Sequence, residues 1–522
     1  MMSDTTIKRL RQIGYTEYSD EQLLEFFLSR GIQALRDLRG EYVLIMEGDN
    51  ECAIVTSPVG AMHYYYHYDG NNFYHGSKII DIINQSAIPW EWNWSSLGDL
   101  CQLENLTNNQ TLHASIKRVP PGTILYYKNS QLNLDSKSYL DSIPSLRPDP
   151  NAAVKAMNLE VATWSGNNPY LSLSGGFDSR VILGSMLQQG IQPHLITMGN
   201  DQCSDVRTAK AIASEYSLSH DLIRITINDF FEHAARISLL TNGTKTAWHW
   251  HTYLYPLKAR IPTESSFFVG TLGEFARSYY FDKGQLGRMA GLNPNLALQK
   301  FWNMKLNRHP TFLPHELSSL HSQFTEQLSP RGIDSRAHRL TSYCKQKFLP
   351  GLTRYYFEQR VPNFYANGIS MYMDSSRWRS PFHSRLWIDQ IWNLPASWKL
   401  GSNWHRYAID RNMPKLLDFP EENGFVSNRM LKKAPPFYWT SAMRRTPYIS
   451  YDLSSEWYRD PVLQDFIYSN RQSIDDLIDP ALVASILSSH KSGNDRTRTL
   501  AFLLTMIYWK QTLHRHNLKN LS

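Results

Sequence analysis

The run Ser174-Gly175-Gly176-Phe177-Asp178-Ser179 puts two glycines, two hydroxyls and a carboxylate into one short stretch. The apolar residues Tyr170, Leu171 and Leu173 precede it, and the segment from Arg180 onward has helical spacing, so the run is a strand-to-helix turn. Glycines let backbone approach an anion, and successive amide N–H groups at a helix N-terminus form a nest for one. Ser174 and Ser179 add hydroxyl donors, and Asp178 adds a carboxylate of the kind that holds Mg2+ against phosphate. A tight βα turn with an aspartate cap uses the same residue types. The full S-G-G-x-D-S spacing behind a strand points instead to phosphate or pyrophosphate. Neither the lysine of a Walker loop nor the G-x-G-x-x-G of a dinucleotide fold is present here.

Other residues invite weaker readings. His249 and His251 flank Trp250, a spacing that suits a metal on a strand, but no third ligand stands out, and a pocket or helix-start role is expected. Arg377 and Arg379 either line an anionic pocket or pair with neighbouring carboxylates. Cys52, Cys101, Cys203 and Cys344 are far apart and form no C-x-x-C pair, so neither a disulfide framework nor a zinc site is expected.

Positioning the glycine turn is the task of a parallel α/β sheet. Strand-like "YLSLSGG", "PHLITMG", "HDLIRIT" and "SSFFVGTLG" alternate with helical "SRVILGSMLQQG", "SDVRTAKAIASEYS" and "INDFFEHAARISLL". Asp205 is well placed as an N-cap or first-turn acid of the second helix. Before this lies a small, mostly antiparallel domain, with hairpin signals at Gly48–Asn50 and Asp69–Asn71. The polar, proline-containing stretch 140–153 reads as a linker, and from about residue 290 the pattern is mainly helical. The expected division is 1–145 and 150–522.

Bulk composition bounds the function. The 522 residues exceed one ordinary core, and 42% hydrophobic with 19% charged residues suits a soluble globular chain. A net charge of +7 without a long basic run suits ATP better than nucleic acid, which is not an expected partner. The polar N-terminus is not a secretory signal, and no apolar run reaches the roughly 18 residues that cross a bilayer. A cytoplasmic protein without membrane contact is expected.

"LSLSGGFDSR" resembles the pyrophosphate loop of N-type ATP pyrophosphatases, and the chain around it is similar to the asparagine synthetase family, which includes β-lactam synthetase, carbapenam synthetase and lasso-peptide cyclases. "LRGEYVLIMEGDNECAIVTSPVGAMHYYY", "FYHGSKIIDII" and "IKRVPPGTILYY" resemble segments of the family's amidotransferase domain. "RSPFHSRLWIDQIWNLP" and "NRMLKKAPPF" resemble its C-terminal landmarks. The resemblance implies a glutaminase-like Ntn-type domain followed by an ATP-pyrophosphatase domain. It also implies a carbon–nitrogen ligase that activates a carboxylate as an acyl-adenylate, releases pyrophosphate and passes the acyl group to an amine. By the same resemblance Ser174, Gly175, Gly176, Asp178 and Ser179 hold pyrophosphate and Mg2+, Met198 meets adenine, Gly270 belongs to the second loop, and Lys432 or Lys433 stands near the leaving oxygens.

Departures from the family pattern narrow this expectation. The second residue is Met2 and the first cysteine is Cys52, inside a hairpin, so a shortened domain without the cysteine nucleophile is expected and glutamine is not the expected nitrogen source. In "VGTLGEFARSYY", Thr271 replaces the family's glutamate, Glu274 falls where its metal-binding aspartate stands, and Arg277 is new, holding an acidic substrate or phosphate or pairing with Glu274. Ser384 replaces another family aspartate. The expected function is an AMP-forming amide-bond synthetase of a specialised pathway, with a small-molecule or peptide carboxylate and an amine as substrates. The alternatives are a lasso-peptide-type or β-lactam-type cyclase and a catalytically degenerate nucleotide-binding homologue. A homodimer, or a partner protein that delivers substrate, is compatible with each.

Overall fold

The computed structural model describes residues 6–280, 293–345, 347–421, 449 and 457–517. The protein is α/β, with antiparallel sheets in the N-terminal part, a parallel sheet after them and a largely helical C-terminal region.

In the N-terminal part β1 (Arg9–Thr16), β2 (Gly40–Glu47), β3 (Glu51–Thr56), β7 (Thr123–Lys128) and β8 (Gln131–Ser136) form one antiparallel sheet in the order β1-β2-β3-β7-β8. A smaller sheet has the order β5-β4-β6, from β4 (Tyr65–Tyr68), β5 (Phe73–Gly76) and β6 (Lys117–Arg118). The hairpins expected at Gly48–Asn50 and Asp69–Asn71 join β2 to β3 and β4 to β5.

The expected linker is shorter than 140–153. Asp149 caps a helix over Pro150–Ser165 by accepting from the Asn151 amide at 2.8 Å, with proline at the first helical position, where its missing N–H costs nothing. The helix leads into β9 (Tyr170–Ser172). With β10 (His194–Met198), β11 (His220–Ile223), β12 (Ser266–Phe268) and β13 (Arg377–Arg379), β9 forms a five-stranded parallel sheet ordered β11-β10-β9-β12-β13. The chain therefore builds outward from β9 through β10 to β11, then returns to lay β12 on the other side of β9. That reversal opens a crevice at the carboxyl ends of β9 and β12, where open parallel sheets receive ligands.

One hydrophobic core spans both parts of the chain. Tyr65, Ile79, Ile83, Leu97 and Leu100 of the N-terminal part share it with Phe267, Trp250 and the C-terminal helix residues Leu503, Ile507 and Trp509. Among the described residues no helix is long and apolar enough to cross a membrane.

Candidate functional site

The turn after β9 keeps its own amides occupied. Ser174 N–H donates to Ser179 Oγ at 3.2 Å and Gly176 N–H to Ser174 Oγ at 3.1 Å. Gly175 N–H donates to the Asp205 carboxylate at 2.7 Å. Asp205 lies in the first turn of the helix Ser204–Glu215, whose N-cap is Cys203, so the first-turn alternative holds. Its carboxylate shows that an anionic oxygen fits the turn's backbone.

Arg180, fully buried, ties the turn to distant chain. Its guanidinium donates to Gly175 O at 2.6 Å, to Leu416 O and Phe419 O at 3.1 and 2.9 Å, and to Pro420 O. The chain leaves the described part just beyond, at Glu421, which Arg406 holds at 3.2 Å. It is described again at Ile449, whose amide donates to Ser204 Oγ at 2.8 Å beside Asp205. Lys432 and Lys433 lie outside the described residues.

Asp178 begins the helix Phe177–Gln188 and meets the loop that follows β12. Gly270 and Gly273 press on it so closely that a Cβ on either would lie 2.8 Å from Asp178 Cβ or 2.4 Å from its Oδ1. Leu272, buried between them, takes the left-handed region at φ 74°, a strained conformation for a leucine that aims the following turn, Gly273–Arg277, at Asp178. Arg277 stands 3.1 Å from Asp178 Oδ2 and 3.7 Å from Glu274 Oε1. The fully buried His405 places Nε2 2.8 Å from Asp178 Oδ1, off the line of an ideal hydrogen bond.

These neighbours separate the two acids. Burial works to raise the pKa of Asp178, but Arg277 and then His405 outweigh it and hold the carboxyl below its ordinary range. Glu274 goes the other way, raised first by burial and then by the charge of Asp178. Glu274 accepts from Tyr356 at 3.0 Å and from Tyr365 at 3.3 Å. Two acids with opposite shifts in one cleft are a familiar arrangement for dividing electrostatic and proton-transfer roles.

Of the residues singled out in the sequence, Ser174, Gly175, Gly176, Asp178, Ser179, Gly270, Glu274 and Arg277 come together here. Met198 ends β10 on the same side of the sheet, half-buried. Asp178 and Glu274, the two acids expected to hold Mg2+, are both engaged by protein groups. The Arg277 guanidinium reaches both carboxylates, His405 faces the remaining Asp178 oxygen, and among the described residues no three His, Cys, Asp or Glu side chains form a group able to hold a metal.

Several weaker readings resolve as structure. Ser384 caps the helix Arg385–Asn393 by accepting from the Trp387 amide. Thr271 O accepts from Ser380 Oγ at 2.7 Å, while Thr271 Oγ1 is buried without a hydrogen bond. Arg379 lies 3.9 Å from the Tyr15 ring and Arg377 donates to Glu264 O, and among the described residues neither reaches a carboxylate. His249 ends the short 3-10 turn Ala247–His249 and His251 begins the helix His251–Lys258, so neither sits on a strand. His249 lies 3.4 Å from Glu104, and burial, followed by the charge of Lys245, pushes its pKa down to about 4. Cys52 faces His75 at 3.5 Å, and burial pushes its thiol up to about 12.

His405, Gly273, Arg180, Tyr356 and Tyr365 were not among the sequence candidates. Gly273 carries a faint signal as the second glycine of "VGTLGEF" and Arg180 closes "LSLSGGFDSR"; the other three bear no motif.

Residues 8–140 match the family model of the glutamine amidotransferase domain, about a quarter of the chain. No curated protein matches the chain. The N-terminal part is thus a glutamine amidotransferase-like domain, of the kind an asparagine-synthetase-like protein carries at this end.

Proposed function

We propose that the chain is an ATP-dependent, AMP-forming amide-bond synthetase that activates a carboxylate at the glycine turn and transfers it to an amine, with no glutaminase activity of its own. The observation that carries this reading is the meeting of the Ser174–Ser179 turn with the Gly270–Arg277 loop at the carboxyl ends of β9 and β12, the sheet's switch point. Arg277 and the N-terminus of the helix that follows the turn suit the charge that gathers on a leaving pyrophosphate. The carboxylate oxygen attacks the α-phosphorus as pyrophosphate departs. The amine then attacks the acyl carbon, AMP leaves, and the amine proton passes to a base. Glu274, its pKa raised within the cleft, is the group suited to receive it.

The matched region holds two cysteines, Cys52 and Cys101, both buried and both with thiols pushed up to about 12 by burial, which supports a nitrogen source other than glutamine. The division at 1–145 and 150–522, the cytoplasmic location and a Mg2+ requirement belong to the proposal. The location is supported by four buried, unpaired cysteines, whereas Mg2+ rests on the resemblance alone.

A second reading has its own support. Arg277 and His405 already satisfy Asp178, and Asp205 already occupies the Gly175 amide, as in a nucleotide-binding homologue that no longer turns over. ATP–pyrophosphate exchange with a panel of carboxylates, in the wild type and Asp178→Ala, separates the two. Exchange that depends on an acid and is lost in the variant supports the synthetase. ATP binding without exchange supports the degenerate homologue. Absence of ATP binding refutes both.

A further inference from the structure

Arg360 is a cation in search of an anion. It lies on the wide-turn helical segment Tyr356–Tyr365, where Pro362 supplies no amide and the π-type turn redirects the neighbouring groups. One guanidinium nitrogen donates to Asn105 Oδ1 at 3.0 Å and to Leu103 O at 3.5 Å, Tyr280 also hydrogen-bonds the group, and Nε is buried without a hydrogen bond. The group stands 4.0 Å from the Phe364 ring centre and 5.5 Å from that of Tyr279. Among the described residues no carboxylate lies within 4.0 Å of it, the distance at which ion pairs are counted elsewhere in this protein.

The surrounding charges leave the shortage standing. Glu104 is the nearest acid to contribute, but it is shared by His249 at 3.4 Å and Arg498 at 3.6 Å. Lys245, whose Nζ lies 3.3 Å from the same Phe364 ring, is driven toward its neutral form by burial and then by the charge of Arg360. A half-buried guanidinium between aromatic walls is weakly hydrated and presents a planar fork suited to a carboxylate.

Its place in the cleft says whose carboxylate. Tyr365, on the same segment, donates to Glu274, and Tyr279, two residues beyond Arg277, has its ring 5.1 Å from that of Tyr356, the other donor to Glu274. One layer of tyrosine rings thus separates Arg360 from the acids of the glycine turn. We propose that Arg360, held between Tyr279 and Phe364, is a specificity-determining residue that pairs with a second carboxylate of the acyl substrate, remote from the one that is activated. The proposal rests on the synthetase reading. Arg277, for which the sequence offered an acidic substrate, a phosphate or Glu274 as partner, is engaged by Asp178 and Glu274.

Calorimetric titration of the full chain with dicarboxylates from malonate to adipate, each beside its half-amide and in the presence of a non-hydrolysable ATP analogue, tests this. At least one dicarboxylate should bind about 10- to 100-fold more tightly than its half-amide. Arg360→Gln should reduce that preference to within about twofold, and Arg360→Lys should keep part of it. Half-amide and nucleotide affinity should be unchanged in both variants. The lysine variant preserves the charge and the aliphatic stem, so it decides the question even where the glutamine variant folds poorly. The proposal is overturned if no acid is preferred over its half-amide, if the preference survives in Arg360→Gln, or if that variant weakens nucleotide instead, which would assign the guanidinium to a phosphate. An Arg360-dependent preference without pyrophosphate exchange for any acid would uphold Arg360 as a carboxylate-pairing residue, but would remove the synthetase reading and with it the acyl-substrate part of this inference.

Discussion

Gly273→Ala tests the packing that brings the two loops together. The added Cβ would lie 2.4 Å from Asp178 Oδ1, 2.5 Å from Cγ and 2.9 Å from Cβ, about 1 Å inside ordinary contact. Asp178 has nowhere easy to retreat, because Gly270 presses on its Cβ and the fully buried His405 stands 2.8 Å from Oδ1. Either the carboxylate swings away from Arg277, now 3.1 Å distant, or the Leu272 turn moves off. Overpacking of this kind costs about 1–3 kcal/mol. At about 2–4 °C per kcal/mol for a large cooperative unit, thermal denaturation followed by circular dichroism should show a midpoint lowered by about 2–12 °C. A displacement of about 1 Å at a reacting group costs on the order of a hundredfold in rate, so exchange, where present, should fall by that factor. An alanine variant with unchanged midpoint and unchanged nucleotide affinity would refute the placement of Asp178 between the two glycines.

Gly368, in the helix Ala366–Met373, is the counterpart: a Cβ there meets nothing within 4 Å, so Gly368→Ala should raise stability by about 0.5–1 kcal/mol in denaturant titration. Glu274 has a raised folded pKa, so its favourable contribution is present in full below the ordinary carboxylate value and fades as pH rises through the folded one. Glu274→Gln, which keeps one acceptor oxygen for the two tyrosines, should therefore gain stability on the wild type as pH rises through that window and show no advantage below pH 4, checked by denaturation midpoints across pH.

The parallel sheet was legible because its period and punctuation agree. The helices at 177–188, 204–215 and 227–240 fall where the pattern puts them, each following a short apolar run. The helix Pro150–Ser165 was hidden by its own start signal, since Asp149-Pro150 reads as linker punctuation and as an N-cap with equal ease. The glycine turn was legible because its chemistry is local. His405 was not, since only the folded chain brings a residue 227 positions away to Asp178. The role of Arg277 turned on the same problem: "GEFARS" displays both a carboxylate and a guanidinium, but the partner at 3.1 Å lies on another loop. The π-type turn at Tyr356–Tyr365 leaves Pro362 as its only local trace, and a proline within a helical pattern ordinarily predicts a stop.

That turn also explains what the amidotransferase-like domain contributes to the rest of the chain. Residues of the matched region grip the π-type segment repeatedly. His63 Nε2 lies 2.6 Å from Pro362 O, Arg118 donates to the same carbonyl, the Asn108 amide donates to Gln359 Oε1 at 2.6 Å, and Asn105 holds Arg360. Arg118 is fully buried, and no acid is among its hydrogen-bond partners; its donors go to backbone carbonyls at Pro362 and Asn108 and to the Asn109 amide. Such a buried guanidinium is costly unless its geometry is fixed by the carbonyls it serves, so it specifies the shape of the segment more than it adds stability. The tyrosines that reach Glu274 and the guanidinium between Tyr279 and Phe364 therefore take their positions from the N-terminal part. The amidotransferase-like domain thus helps to shape the cleft, and its surface toward residues 356–365 is constrained by that neighbouring segment.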